Sequence, residues 1–372
     1  MENETKTLKI TISGTGFAGD FVARSFAMLP HRNGVQLKLA GVNSGRLGNA
    51  KLFAKRHGVD QAFDSHQEML ETIKPDIDCI ACANYVHGQY VKEAAEAGVK
   101  VIVLEKPPLI WPGYPEGREA DAETRKAESM DTLQEVLEAV AKSGSKLLYA
   151  ENFIYVDGMK SLVELLREAQ NVGKGKVLLQ QGVCAHQGSH AIDYDTPAKS
   201  GGGSLFNKAC HPLGSVIFED DTVAEVYGYD LSISGIKNRF SVITDFAEYD
   251  MRINPSDENE LFLPDPAAIG DVLLREKLPT ATGSSFPRPR QFYAHGYVSE
   301  MDDAVACALE KNRYPQSGSL LAWDTMALVM AAYESAEKSS AFVDVTEYST
   351  QNIVGDPALP DPRYMGAVLG RK

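Results

Sequence analysis

Positive charge is scarce in this chain: 37 Lys and Arg stand against 51 Asp and Glu, leaving a net charge of −14 and a sequence pI near 5.1. A surface that acidic repels phosphate backbones and anionic headgroups, which excludes nucleic acid and membrane surfaces as expected partners. Long apolar runs are also missing. None approaches the roughly eighteen residues a membrane-spanning helix needs, and the polar start Met1–Lys9 carries no apolar signal core. The cytoplasm is the expected location. Cysteine is sparse as well, five residues at 79, 82, 184, 210 and 307. An odd count in a long chain argues against a disulfide framework. Cys79 and Cys82 form a C-x-x-C, but they lie in the apolar run Ile77–Ala83 with no second C-x-x-C to complete a zinc site. They read as buried, inert thiols.

What is present is enough apolar material for two cores: 372 residues, 44% hydrophobic and 24% charged. Up to about residue 150 strand and helix patterns alternate. Strands are expected at Leu8–Ile12, Val35–Val42, Ile77–Ala83, Val99–Leu104 and Lys146–Tyr149. Helices are expected from the glycine loop through Leu29, at Leu47–His57, Gly88–Ala97 and Thr132–Ala141, with Trp111–Met130 a solvated insertion. Repeated β-α-β units imply an α/β Rossmann domain, a doubly wound parallel sheet covered on both faces. Beyond residue 150, Val177–Val183, Ala224–Ser232 and Phe240–Ile253 read as strands without intervening helices, and Glu300–Leu309 and Ala322–Ala336 as helices. This second part is expected to be an α+β domain with a large, mostly antiparallel, open-faced sheet. The expected division is 1–150 for the dinucleotide domain, 151–346 for the substrate domain and 347–372 for an extended, Pro-rich tail. An uncovered sheet face suggests a homodimer or homotetramer.

The strongest local signal is Gly14-Thr15-Gly16-Phe17-Ala18-Gly19, directly after the first strand and opening a helix. Gly14 permits the tight turn, Gly16 the approach of a pyrophosphate, and Gly19 close helix–strand packing; the backbone of Phe17 and Ala18 supplies N–H groups at the helix start. At the end of the second strand, where a carboxylate commonly grips the adenosine ribose, the chain has Asn43, Ser44 and Arg46. Neither of the first two carries charge, and Arg46 suits a 2′-phosphate. The cofactor is thus expected to be NAD or NADP, with a tilt toward NADP. Two further segments close strands: Cys82-Ala83-Asn84-Tyr85-Val86-His87 and Glu105-Lys106-Pro107-Pro108. Ligands of doubly wound sheets bind at such carboxyl ends.

Taken with the glycine loop, these segments resemble the Gfo/Idh/MocA oxidoreductase family, which pairs G-x-G-x-x-G with a T-P-N-x-x-H-like turn and an E-K-P motif. Gly201-Gly202-Gly203-Ser204-Leu205-Phe206-Asn207-Lys208-Ala209-Cys210-His211 is similar to the family's G-G-G-x-L-x-D-x-G-x-H segment. The resemblance implies that Ala83, Asn84, His87 and Glu105 border the cofactor, that Lys106 contacts both substrate and nicotinamide ribose, and that His211 moves the hydroxyl proton. The chemistry asks for the same groups. Hydride removal from a secondary alcohol needs a base near the hydroxyl and a cation near the developing alkoxide, and histidine titrates near neutral pH. The family's aspartate four residues before the histidine is here Asn207, which orients a hydroxyl without carrying charge. Tyr155 and His190 are expected to line the substrate pocket. His186, His190 and Asp193 lack strict ligand spacing, so no metal is expected. The expected activity is hydride transfer between a nicotinamide and a carbon of a sugar, polyol or sugar derivative. The alternative, also suggested by the resemblance, is an NAD-dependent glycoside hydrolase that oxidises its substrate transiently.

Overall fold

The computed structural model describes residues 5–30, 32, 34–156, 159, 177–185, 196–211, 225–226, 237–244, 248–252, 261–263, 283–285 and 295–345. In its first part, six strands form one parallel sheet: β1 (Lys6–Ser13), β2 (Val35–Asn43), β3 (Gln61–Phe63), β4 (Ile77–Ile80), β5 (Val101–Glu105) and β6 (Lys146–Ala150). Their order is β3-β2-β1-β4-β5-β6. The chain therefore winds outward in both directions from β1 and β4, and the crevice at that reversal is the place for a ligand. Central strands lose both faces to packing, so even their polar members Thr11 and Asp78 are buried and bond each other at 2.7 Å. Leu8, Ile10 and Ile12 of β1 and all four residues of β4 are buried.

Helices α1 (Phe17–Ala27), α2 (Leu47–His57), α3 (His66–Ile73), α4 (His87–Glu96) and α5 (Ala122–Ser143) cover the sheet. Their ends follow local chemistry. Ser65 caps α3 by accepting from the Glu68 N–H, and Asp121 caps α5 by accepting from Thr124. Gly58 and Gly144 stop α2 and α5 in the left-handed region. The short edge strand β3 and helix α3 were not among the expected elements. Trp111–Met130 is also less solvated than expected: Trp111 is buried, Arg118 lies over its ring at 5.1 Å, and α5 starts at Ala122. The buried pair Lys126–Glu334, 2.7 Å apart, fastens α5 to the last helix.

In the second part, β7 (Val177–Ala185), β9 (Lys237–Thr244) and β10 (Glu248–Arg252) form an antiparallel sheet in the order β10-β9-β7. β8 (Glu225–Val226) pairs with β13 (Val343–Asp344), and β11 (Leu261–Leu263) with β12 (Gly283–Ser285). The strand expected over Phe240–Ile253 is two strands, and of Ala224–Ser232 only β8 is described as strand. Two short helices, α6 (Pro197–Ser200) and α7 (Ser204–Lys208), flank the glycine run. Helices α8 (Tyr297–Leu309) and α9 (Ser319–Glu337) return to the first part. Phe21 of α1 meets Tyr297 of α8 edge-on at 4.9 Å, and Trp323, Met326 and Met330 of α9 join the same core as Leu133 and Val136 of α5. Two side chains, one on β6 and one in the turn after it, bind main-chain oxygens of the second part at this joint. Lys146 Nζ donates to the carbonyls of Cys307 and Glu310, both at 2.7 Å, and Asn152 Nδ2 donates to that of His295 at 2.6 Å.

Candidate active site

The glycine loop divides its labour between packing and access. Gly14 has φ +111°, and a Cβ on it would lie 2.2 Å from the Ala81 carbonyl oxygen. A Cβ on Gly19 would lie 2.2 Å from the Gly14 carbonyl oxygen. These two let β1, α1 and the end of β4 touch. Gly16 is different: it is exposed, and nothing stands within 4 Å of where its Cβ would be. It begins α1 without a side-chain cap, beside Phe17, which is 45% exposed, and the partly exposed Ala18. The helix start thus presents backbone N–H groups over open space, the arrangement that receives a phosphate. Next to it, at the end of β2, the buried Asn43 leaves its carboxamide oxygen without a partner. Ser44 lies within hydrogen-bonding distance of Thr15, 3.4 Å away, and Arg46 is exposed at the start of α2. An open cradle with an orphaned acceptor beside it fits a dinucleotide.

At the other side of the crevice, two residues expected to border the cofactor do something else. Asn84 is buried and donates through Nδ2 to the Ser200 carbonyl at 2.8 Å, tying the turn after β4 to the glycine run. His87 is fully buried. Burial pushes its imidazole down to about 4, so the ring is neutral, and its Nδ1 donates to the Pro107 carbonyl at 2.9 Å. His87 thereby braces the loop that carries Lys106, and Asn84 the glycine run opposite it. Ala83 precedes this turn in extended conformation.

Glu105 ends β5 and Lys106 follows it. Loss of solvation pushes the Glu105 carboxyl up, with Lys106 drawing it back. Lys106 Nζ donates to the main-chain carbonyl of Asn207 at 3.4 Å. Asn207 itself is buried in α7 and spends Nδ2 on the carbonyls of Gly202 and Gly203, at 3.2 and 3.1 Å, while its side-chain oxygen has no partner. His211 lies four residues on and is buried; its Nδ1 is 2.7 Å from Oε1 of Glu151. Glu151 stands just past the end of β6. Burial pushes its carboxyl up to about 8, against the lowering effect of the Phe153 N–H, Lys106 and Lys208. The ring of Phe153 stacks on His211 at 4.6 Å and 22°.

Lys106, Asn207 and His211 are therefore brought to one place by α7 and the ends of β5 and β6. Glu151 joins them and was not among the expected site residues. Its sequence signal was a lone acid between the apolar runs Leu147–Ala150 and Phe153–Tyr155. Tyr155 departs from its expected role: it is 1% exposed, its hydroxyl donates to Asp303 at 3.0 Å and accepts from the Ser317 N–H at 3.1 Å. That spends its polar end inside the joint between α8 and the turn after β6. His190, like His186 and Asp193, lies outside the described residues. Glu151, Cys210 and His211 place ligand atoms within 4.8 Å of one another. A metal ion there would face the two lysine charges that act on Glu151. Cys79 and Cys82 are free, with burial pushing Cys82 up to about 12 and Cys79 well above its ordinary value, which suppresses the reactive thiolate. No helix among the described residues is long and apolar enough to cross a membrane.

Comparison with known proteins bears on the fold. Residues 8–149 match the model of the Gfo/Idh/MocA family, described as "Oxidoreductase family, NAD-binding Rossmann fold". A D-glucoside 3-dehydrogenase of Escherichia coli K12 is 34% identical over 105 residues, which are 28% of this chain and 28% of the relative's length. Among solved structures, GenD2 from gentamicin A biosynthesis in complex with NAD superposes with a TM-score of 0.72 at 17% identity, over 92% of this chain and 97% of that one. Scyllo-inositol dehydrogenase from Lactobacillus casei, with bound NAD(H) and scyllo-inositol, gives 0.68 at 15% identity, over 91% and 99%. At such identities the likeness is one of fold, and it extends through both parts of the chain. Residues 8–149, less than half of the chain, are thus similar to the NAD-binding Rossmann domain of the Gfo/Idh/MocA oxidoreductase family.

Proposed function

We propose that this protein is a nicotinamide-dependent dehydrogenase or reductase acting on a CH–OH carbon of a sugar, polyol or sugar derivative. The observation that carries the reading is that Lys106, bonded to the Asn207 carbonyl, and the Glu151-paired His211 four residues further on gather at the carboxyl edge of a sheet whose glycine loop stands open. Gly14, Gly16 and the start of α1 would hold the pyrophosphate, and Asn43, Ser44 and Arg46 the adenosine ribose. When bound, the nicotinamide supplies the hydride donor or acceptor. The rest is the work of this chain's own residues. Lys106 orients the reacting hydroxyl and offsets the negative charge that grows on its oxygen. His211 exchanges the hydroxyl proton. The side-chain oxygen of Asn207, buried and unpartnered, is suited to accept from a neighbouring substrate hydroxyl. A substrate rich in hydroxyls answers such a set of donors and acceptors.

The D-glucoside and inositol dehydrogenases among its relatives support a carbohydrate-like substrate, and nothing in them favours the glycosidase alternative. Arg46 keeps the tilt toward NADP. The division at about residue 150, assembly as a homo-oligomer and a cytoplasmic location stand with this reading. The test is turnover of a panel including methyl glucoside and scyllo-inositol, followed by the absorbance of the reduced nicotinamide. Lys106→Met is expected to lower kcat/KM by about 10²–10³-fold, the size typical of losing one group that stabilises developing charge. Turnover of the panel by Lys106→Met at the wild-type rate would refute the role of Lys106.

A further inference from the structure

The acid expected near His211 at position 207 is an amide, yet His211 does not lack a carboxylate. Glu151 supplies one from 60 residues away in sequence, with Oε1 2.7 Å from Nδ1. The same oxygen accepts from the Phe153 N–H at 3.3 Å, and the Phe153 ring stacks on the imidazole. One turn thus sets the position, the plane and the partner of the ring. The second carboxyl oxygen, Oε2, is buried with no hydrogen-bond partner. A buried acid with half its acceptor capacity unused is costly to keep, and such costs concentrate where a group is used. Asn207 offers no competing anion, its amide nitrogen being held by two backbone carbonyls.

We infer that Glu151 is the acidic partner of His211, holding its Nδ1 and receiving the proton that the ring takes from the substrate hydroxyl. The inference rests on the dehydrogenase reading above and moves the acid's role from residue 207 to residue 151. The step balances. The substrate O–H bond breaks as an N–H bond forms at Nε2 of His211, and the Nδ1–H bond breaks as an O–H bond forms at Oε1 of Glu151. The hydride leaves the same carbon for the nicotinamide, and reduction runs the sequence backward. Burial, which pushes Glu151 up to about 8, raises its affinity for the proton and so favours the internal transfer. The groups acting on Glu151 are Lys106 and Lys208, which favour its anion; Glu105, Glu300, Tyr149 and Cys210 lie in the same buried cluster. Glu151 is a positioning residue in this scheme, because it reaches the substrate only through His211.

Two measurements on the full-length protein test it. In the first, [15N]histidine-labelled protein, with His211→Asn to assign the signal, is observed above about pH 9, where free imidazole and carboxylate are both deprotonated. The expected result is the Nδ1–H tautomer; an Nε2–H tautomer overturns the pairing. This needs no turnover, so it decides the matter even if no sugar is oxidised and the dehydrogenase reading fails. In the second, Glu151→Gln is expected to lower kcat by about 10²-fold, with KM changed little, and to shift the acid limb of the kcat/KM profile to lower pH. Glu151→Asp, which keeps the charge, restores the limb. A folded Glu151→Gln enzyme with unchanged kcat and unchanged limb overturns the proposal.

Discussion

The three glycines of the first loop occupy six residues but make opposite demands, and substituting them one at a time separates packing from binding. Gly14→Ala places a Cβ 2.2 Å from the Ala81 oxygen and 2.9 Å from the Cys82 Cα, on a backbone with φ +111°. Real Cβ contacts of this kind sit beyond about 3.4 Å, so β4 or the loop must shift by roughly an ångström. Backbone strain of about 1–3 kcal/mol and overpacking of about 1–3 kcal/mol add to a loss of some 2–6 kcal/mol, which lowers Tm by roughly 5–20 °C for a domain of this size. Gly19→Ala meets the Gly14 oxygen at 2.2 Å and belongs to the same class. Gly16→Ala is the informative variant. Its backbone, φ −83° and ψ −159°, suits any residue, and its Cβ would point into open space. Alanine is a poorer helix cap than glycine but restricts the unfolded chain, so stability should change by no more than about 1 kcal/mol. Binding is another matter, because the methyl occupies the approach of the pyrophosphate. We expect the affinity for NADH, read by fluorescence titration, to fall by at least about tenfold, or 1.4 kcal/mol. Tm should match the wild type. A Gly16→Ala protein that binds NADH as tightly as wild type refutes the assignment of that open space to the cofactor. A Gly14→Ala protein with unchanged Tm refutes the packing argument.

Two further outcomes follow from particular residues. His87 is buried neutral with its folded value near 4, below the roughly 6.5 of an exposed imidazole, so its contribution is whole above about pH 6.5 and is lost as pH falls toward 4. Over that window it withdraws about 3 kcal/mol, and a His87→Gln protein, with lower stability at pH 8, should show a shallower acid decline in Tm; an equally steep decline would clear His87 of that role. Arg46→Ala should raise KM for NADP by about tenfold while leaving KM for NAD within a factor of two, measured as initial rates; equal effects on both would remove the case for a 2′-phosphate site.

The first domain was legible because its signals are local. A glycine loop placed between a strand and a helix, and apolar runs bounded by turns, name the sheet and the helices α1, α2 and α4 without reference to anything distant. Edge strand β3 escaped because three residues with one buried side chain give no period to read. Within the insertion, 115–119 are exposed as its composition implies, but that composition hides Trp111, which is buried with Arg118 over its ring. At the site, Lys106 and His211 were legible from motifs. Glu151 was not, since its partner lies 60 residues away and no spacing rule links them. Asn84, His87 and Tyr155 carry polar groups that a sequence invites one to aim at ligands, whereas burial aims them at carbonyls and at Asp303. That choice is made by tertiary packing alone.

The joint between the two parts has a consequence for divergence. Asn84, Lys106, Lys146 and Asn152 all donate at it to main-chain oxygens, those of Ser200, Asn207, Cys307, Glu310 and His295. Every residue type presents the same carbonyl, so these bonds place no demand on the side chain at the accepting positions, unlike the packing of Tyr297, Trp323 and Glu334. Such bonds would let a lineage replace the accepting residues while the apparatus that holds the cofactor stays in register.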